Sequence, residues 1–193
     1  AHNNGGVVIA QVKRTTTEKH LPREVHVPGA LVDAIVVAPT QEQAGGIFYD
    51  PAISGTEIKS LDEIESIGFD ITKVIARRAA MELHHYDLAN LGFGICSMVP
   101  RILLEEGQAQ AVTWAIEQGA VGGMPLMGFA FGCASNADAF MPSPQQFTYF
   151  QGGGFDVTFL SFLEIDLEGN VNVSKLGKKP YLTAGCGDGM KAS

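Results

Sequence analysis

Apolar runs cut by glycine and proline dominate this chain from its start. Val7, Val8, Ile9, Ala10 and Val12 follow Gly5-Gly6, a largely β-branched stretch that predicts a buried strand. Leu31 to Ala38 predicts a second strand, ended by Pro39. Residues 40–68 are polar, with Gly45-Gly46, Pro51 and the acidic residues Asp62, Glu63 and Glu65; they read as a linker with a solvated acidic face. Ile71, Val74, Ile75, Ala79 and Leu83 recur at helical spacing, which predicts a helix over 71–86 with Asp70 as N-cap. "LANLGFG" predicts a short strand entering a glycine turn. "ICSMVPRILLEEG" predicts a helix with Pro100 in its first turn and a stop at Gly107. "AVTWAI" and "FDVTFLSFLEID" predict further strands, and "LEGNVNVSKLG" a hairpin or tight return around Gly169-Asn170.

Strands alternate with helices from residue 71 onward. The expected fold class is therefore α/β, an open and mostly parallel sheet with flanking helices. Three segments follow from the pattern: 1–45, a linker over 46–69, and 70–193. "AHNNGGVVIAQVKR" runs almost directly into strand-like sequence, so a truncated fold is expected.

Composition narrows the classes. Of 193 residues, 46% are hydrophobic and 18% charged, enough apolar surface for a sizeable core. The formal net charge of -8 argues against a nucleic-acid partner, which needs a basic face. No apolar stretch reaches the roughly 18 residues of a membrane-spanning helix, so no membrane partner is expected. Cys96, Cys133 and Cys186 are odd in number, widely spaced and without a CxxC pair; neither a disulfide framework nor a zinc site is expected, and a reducing cytoplasm fits.

Glycine turns at strand ends draw attention because ligands of open α/β sheets bind beyond the carboxyl ends of the strands. Gly92-Phe93-Gly94 and Gly119 to Gly123 are two such turns. Gly152-Gly153-Gly154 and Gly185-Cys186-Gly187-Asp188-Gly189 are further clusters. None is a phosphate-binding GK[ST] loop, and "GFG" lacks full dinucleotide spacing. Between a strand and a glycine turn stands Glu117. From pattern alone it reads either as an exposed strand-end carboxylate or as a carboxylate nucleophile held rigidly and partly desolvated. His84 and His85 are adjacent and cannot form an i, i+4 metal pair, and His2, His20 and His26 have no ligand spacing, so no metal site is expected. Ser97 and Cys96 lack a nucleophile-elbow motif. Arg77, Arg78, Lys175, Lys178 and Lys179 could meet phosphates or solvent alike.

Taken together the segments resemble the family I coenzyme A transferases, in the single-chain acetate and propionate branch. "NNGGVVIAQVKR" and "LPREVHVPGALVDAIVVAP" look like the last part of that family's first half. "ITKVIARRAAMEL" and "ANLGFGICSMVPRILLEEG" look like the start of its second half. "EQGAVGGMP", "FGCASNADAF", "PQQFTYFQGGGFDVTFLSFLEIDLEGNVNVSKLG" and "AGCGDG" follow in the family's order. The resemblance covers nearly the whole chain and corresponds to a central portion of the family's length.

The resemblance implies transfer of coenzyme A between a short-chain acyl-CoA and a carboxylate acceptor. Glu117 would be the nucleophile, passing through a mixed anhydride to a glutamyl-CoA thioester. Asn90, Leu91, Gly92, Phe93 and Gly94 match a segment that contacts CoA. Gly185 and Gly187 match a motif that places an amide near the reacting carbonyl. Gly119, Gly122 and Gly123 would shape the approach of CoA and the acyl pocket. No permanent cofactor is implied; coenzyme A is a substrate. A homo-oligomer, or a partner chain supplying the missing half, is the expected assembly. Two alternatives stay open: a non-catalytic CoA-binding or self-associating module, and, with water as acceptor, an acyl-CoA hydrolase.

Overall fold

A computed structural model describes residues 1–173 and the two short strands Lys175–Leu176 and Lys179–Pro180. The chain divides into two units, Ala1–Tyr49 and Asp50–Ser193.

In the first unit, β1 (Ile9–Val12) pairs parallel with β2 (Ala34–Val37), Ile9 opposite Ala34 and Val12 opposite Val37. Both predicted strands are present and shorter than their apolar runs. The Asp33 carboxylate receives the Val8 N–H at 2.7 Å and fixes where the pair begins. Lys13 closes the unit, its ammonium 3.1 Å from the centroid of the Phe48 ring and donating to the Phe48 carbonyl at 2.9 Å. Every residue of β2 is exposed, unlike the usual parallel strand covered on both faces.

The second unit begins inside the expected linker. Asp50 caps the short helix α1 (Pro51–Ser54) by accepting the Ala52 N–H at 2.9 Å, and Ala52 and Ile53 are buried. Farther on, both main-chain groups of Lys59 bond the side-chain amide of Asn136, at 2.9 and 2.8 Å. Residues 50–59 are thus held to the second unit by burial and hydrogen bonds, features that their polar composition hides.

Helix α2 (Ile71–Ala80) starts as predicted, with Asp70 accepting the Lys73 N–H at 2.9 Å. It ends six residues early. Its last turn tightens into i→i+3 bonds from Met81, Glu82 and Leu83, and Tyr86 takes φ +74° to swing the chain into the sheet. The face that meets the core is Ala76, Ala79, Ala80 and Leu83; Ile71, Val74 and Ile75 are exposed.

Strand β3 (Leu88–Leu91) follows. A 3₁₀ turn over Gly94–Met98 then leads into α3 (Val99–Glu105), with Pro100 in the first turn as expected. Next come β4 (Thr113–Ile116), β5 (Ala120–Val121), the hairpin β6 (Met124–Pro125) and β7 (Ala134–Ser135), β8 (Ala139–Phe140), α4 (Ser143–Gln151) and β9 (Val157–Phe159). The central sheet has five strands in the order β8-β5-β4-β3-β9. Its heart is parallel, β3 pairing with both β4 and β9, and β5 and β8 add antiparallel strands on one side. This is an α/β fold with a mostly parallel central sheet and flanking helices.

Helices α2 and α3 cover one face of the sheet. Ala89, Leu91, Val112 and Trp114 meet Ala76, Val99, Ile102 and Leu103 there. The single strand expected over "FDVTFLSFLEID" is broken. Beyond Phe159 the chain leaves the sheet, and the Ser161 hydroxyl donates to the Phe93 carbonyl at 2.7 Å. Then β10 (Glu164–Ile165) pairs antiparallel with β11 (Val171–Asn172), the return expected at Gly169, which has φ +85°.

Trp114 is 1% exposed at the centre of this core, so Trp114→Ala should lower unfolding free energy by about 3–5 kcal/mol in urea titration. Acid should weaken the second unit. Side-chain and main-chain hydrogen bonds from Thr72 and Lys73 hold the Asp70 carboxyl below its ordinary pKa, and the Lys73 hydrogen bond does the same for Glu105. A carboxyl with a depressed folded-state pKa contributes stability above its unfolded value and loses it as pH falls through the folded one. The melting temperature should therefore fall between about pH 5 and pH 3, and less steeply in Asp70→Asn.

Candidate functional site

Because β3, β4 and β9 are parallel, their carboxyl ends share one edge. Leu91 lies opposite Ile116 on one side and Phe159 on the other. The next residues along each strand are therefore neighbours: Gly92 after β3, Glu117 after β4 and Leu160 after β9. Glu117 is half-buried, and its Oε1 atom is buried from solvent. The exposed strand-end reading is thus too simple for this carboxylate.

The segment Asn90 to Gly94 divides by depth. Asn90 is 2% exposed and both ends of its side-chain amide are engaged: Nδ2 donates to the Ala115 carbonyl at 3.3 Å, and Oδ1 accepts from the Thr158 hydroxyl at 2.8 Å. Leu91 is in the core. Within the segment expected to contact CoA, the side chains at positions 90 and 91 are thus buried in the sheet and core. Gly92 is buried too. Its N–H donates to the Phe159 carbonyl at 2.8 Å, and a Cβ there would stand 2.9 Å from that oxygen. Phe93 and Gly94 are the exposed part, with the Gly94 carbonyl receiving the Ser97 hydroxyl at 2.7 Å.

Glycines 119, 122 and 123 all have positive φ, and each makes room for the chain itself. A Cβ on Gly119 would overlap the Met141 carbonyl, whose own N–H donates to the Gly119 carbonyl at 2.8 Å. Side chains on Gly122 and Gly123 would overlap the Asp138 carboxylate and the Ser135 carbonyl. Gly119 stays beside Glu117, its N–H donating to the Ile116 carbonyl at 2.8 Å. Gly122 and Gly123 do not. The antiparallel turn carries them back so that the Gly122 N–H bonds the Trp114 carbonyl at 2.7 Å, some three residues or about 10 Å along the strand. There they line a cavity of about 800 Å³ with Lys59, Thr113, Asn136 and Asp138, at the opposite end of β4 from Glu117. Gly185 and Gly187 lie outside the described residues.

Three residues at this edge carried no warning in the sequence. Phe131 packs against both hydrophobic clusters, and its ring meets that of Phe93 edge-on at 5.7 Å between centroids. Gly132, with φ +105°, lies against the side chain of Gln118. Ser161 holds the Phe93 carbonyl and lies 3.6 Å from the Cys96 sulfur. They come from two loops about thirty residues apart, so no local period marks them.

The other expected candidates lie elsewhere. Arg77 is paired with Glu105 and Glu106, at 3.6 and 4.0 Å, and Arg78 with Glu82. His84 is 3.7 Å from Asp87. Burial pushes the Cys133 thiol above its ordinary pKa, away from a reactive thiolate. Among the described residues no cluster of histidine, cysteine and carboxylate side chains is placed to hold a metal ion, and no helix is long and apolar enough to cross a membrane.

No protein-family model matches the chain. It is similar to the caffeate CoA-transferase of Acetobacterium woodii, 42% identical over 179 residues that make up 91% of this chain and 34% of that protein. It is also similar to the acetate CoA-transferase YdiF of Escherichia coli O157:H7, 38% identical over 95% of this chain and 35% of that one. The solved YdiF apoenzyme matches 98% of this chain with a TM-score of 0.81. YdiF solved as a thioester complex with CoA matches 93% of it with a TM-score of 0.75 and 36% identity. The chain spans about a third of the length of the relatives it matches. By sequence and by fold the chain matches part of these CoA-transferases, consistent with a partial family I coenzyme A transferase.

Proposed function

We propose that the chain takes part in moving coenzyme A between a short-chain acyl-CoA and a carboxylate acceptor, with Glu117 as nucleophile. The observation that carries this reading is the placement of Glu117: at the common carboxyl edge of the parallel strands, beside the Phe93-Gly94 loop, with one carboxylate oxygen buried. Its likeness to CoA-transferases, one of them solved as a thioester complex with CoA, supports the same chemistry.

The steps balance without an outside oxidant or reductant. A Glu117 oxygen attacks the thioester carbonyl, the C–S bond breaks, and CoA leaves as the thiolate. The thiolate attacks the glutamyl carbonyl of the resulting mixed anhydride. The acyl group departs as its carboxylate and Glu117 is left as a CoA thioester. An acceptor carboxylate then attacks that thioester, and the same two steps run in reverse. A new acyl-CoA leaves and the Glu117 carboxylate is restored, with no net proton transferred. In this reading coenzyme A enters as substrate and no resident cofactor is needed. Phe93 and Gly94 would meet it directly, while Asn90, Leu91 and Gly92 shape the edge from beneath.

A second reading is a self-associating module without turnover. It is favoured by β2, where Ile35, Val36 and Val37 are about half or more exposed on a parallel strand. Such a strand is ordinarily covered on both faces, and a second copy would cover it.

Incubation with propionyl-CoA and no acceptor should add the mass of CoA less one water to the protein, map to Glu117, and release one propionate per chain. Glu117→Ala should take up no CoA covalently. An unmodified wild-type mass, with CoA bound, rejects the transferase reading; continuous thiol release without any carboxylate acceptor turns it into a hydrolase. Sedimentation velocity at tens of micromolar checks the second reading: a dimer or larger species is expected from it, and a stable monomer rejects it.

A further inference from the structure

Residues 126–133 form a hairpin that closes over the strand edge carrying Glu117. Its stem is the β6–β7 pair, Pro125 opposite Ala134, extended by a hydrogen bond from the Leu126 N–H to the Cys133 carbonyl at 2.9 Å. Phe131 anchors it inward, against the core cluster of β3 and β4 and against Ile116, Ala120 and Ala134. The hairpin is thus fixed to the sheet on both sides of β4's carboxyl end.

One residue past Phe131, the bare backbone of Gly132 receives the stem of Gln118. A Cβ built on Gly132 would stand 3.0 Å from Gln118 Cγ, 3.1 Å from Cδ and 3.4 Å from Nε2. Gln118 is the residue that directly follows Glu117, in the turn that Gly119 closes onto Ile116. Its side chain is largely exposed, and a free glutamine would sample several rotamers. Here its stem lies flush on the hairpin, and a side chain at position 132 would push it aside by a few tenths of an ångström. Orienting the Gln118 backbone orients the preceding residue with it.

We propose that the hairpin 126–133 positions Glu117, acting through Gln118 seated on the face of Gly132. The inference rests on the reading of Glu117 as nucleophile and adds a positioning residue to it. Misplacing a reacting group by about 1 Å can cost up to 10² in rate, so a packing contact one residue away is able to matter without touching substrate.

The test uses single-turnover formation of the CoA adduct from propionyl-CoA, with the backbone amide resonance of Glu117 as a readout that needs no activity. Gln118→Ala should slow adduct formation at saturating propionyl-CoA by roughly tenfold, with the half-saturating concentration and melting temperature unchanged, and should shift the Glu117 resonance. Gln118→Met, similar in length and without the amide, should restore both. Gly132→Ala should disturb the same two readouts from the other side of the contact. Gly128→Ala is the control for an added Cβ on the same hairpin: at φ +62° it lies in the left-handed region that non-glycine residues can enter, has nothing within 4 Å of an added Cβ, and should disturb neither. A Gln118→Ala protein with the wild-type rate and an unmoved Glu117 resonance overturns the proposal, as does a Gln118→Met protein as slow as Gln118→Ala. Should the wild type take up no CoA, the nucleophile reading falls; the resonance then decides the contact alone through the sequence-distant variants, supporting it if Glu117 shifts in Gly132→Ala and not in Gly128→Ala, and overturning it if Gly132→Ala leaves it unmoved or Gly128→Ala moves it as far.

Discussion

A single buried side chain ties the three parallel strands together. Asn90, in the middle strand, accepts from Thr158 on one neighbour and donates to the Ala115 carbonyl of the other. A buried amide left without partners costs roughly 1–3 kcal/mol, so any slip of β9 or β4 against β3 carries that penalty. Strand register alone permits several alignments of short apolar segments such as Ala-Asn-Leu and Trp-Ala-Ile. The amide selects the one in which Leu91, Ile116 and Phe159 end level. From that level edge the rest follows: Gly92 can approach Phe159, Ser161 can hold the Phe93 carbonyl, and Glu117 emerges beside them.

The glycines around Glu117 serve the same geometry. A ligand cradle is one use of a glycine turn; close passage of the chain past itself is another. Gly119 admits the Met141 carbonyl, Gly122 the Asp138 side chain and Gly123 the Ser135 backbone. These close passages let a four-residue strand turn back twice within about ten residues, and they leave the carboxylate at one end of β4 and the large cavity at the other. Among the described candidate glycines, Gly94 lies on exposed surface beside the candidate site, whereas Gly92 and Gly119 are buried.

Much of this was legible in the sequence where local physics decides. The Asp70 cap, the proline in the first turn of α3, the apolar runs of β3 and β4 and the turn at Gly169 are read directly from residue chemistry. The α/β alternation follows from them. What stayed hidden depends on distant partners. The tie that Asn90 makes across the sheet has no local signal, because its partners Ala115 and Thr158 are 25 and 68 residues away. Helix α4 has Gln146 and Phe150 buried one turn apart within a mixed run, "SPQQFTYFQ", too short and too polar to show a period. Of the apolar stripe read along α2, Ala79 and Leu83 meet the core beside Ala76 and Ala80, while Ile71, Val74 and Ile75 are exposed, because the smaller alanines pack closer. Residues 50–59 looked like linker because only Ala52 and Ile53 in the segment are buried apolar residues, and its other anchors are a cap and a pair of hydrogen bonds to Asn136.

The central claim is that the shared carboxyl edge of β3, β4 and β9 is where coenzyme A reacts. A crystal structure of the chain soaked with an acyl-CoA tests it most directly. The account predicts continuous electron density from the Glu117 carboxyl carbon to the CoA sulfur, with the pantetheine arm running against Phe93 and Gly94. A CoA molecule seated at the far end of β4, against Gly122, Gly123 and Lys59, with the Glu117 carboxylate unmodified, would contradict it.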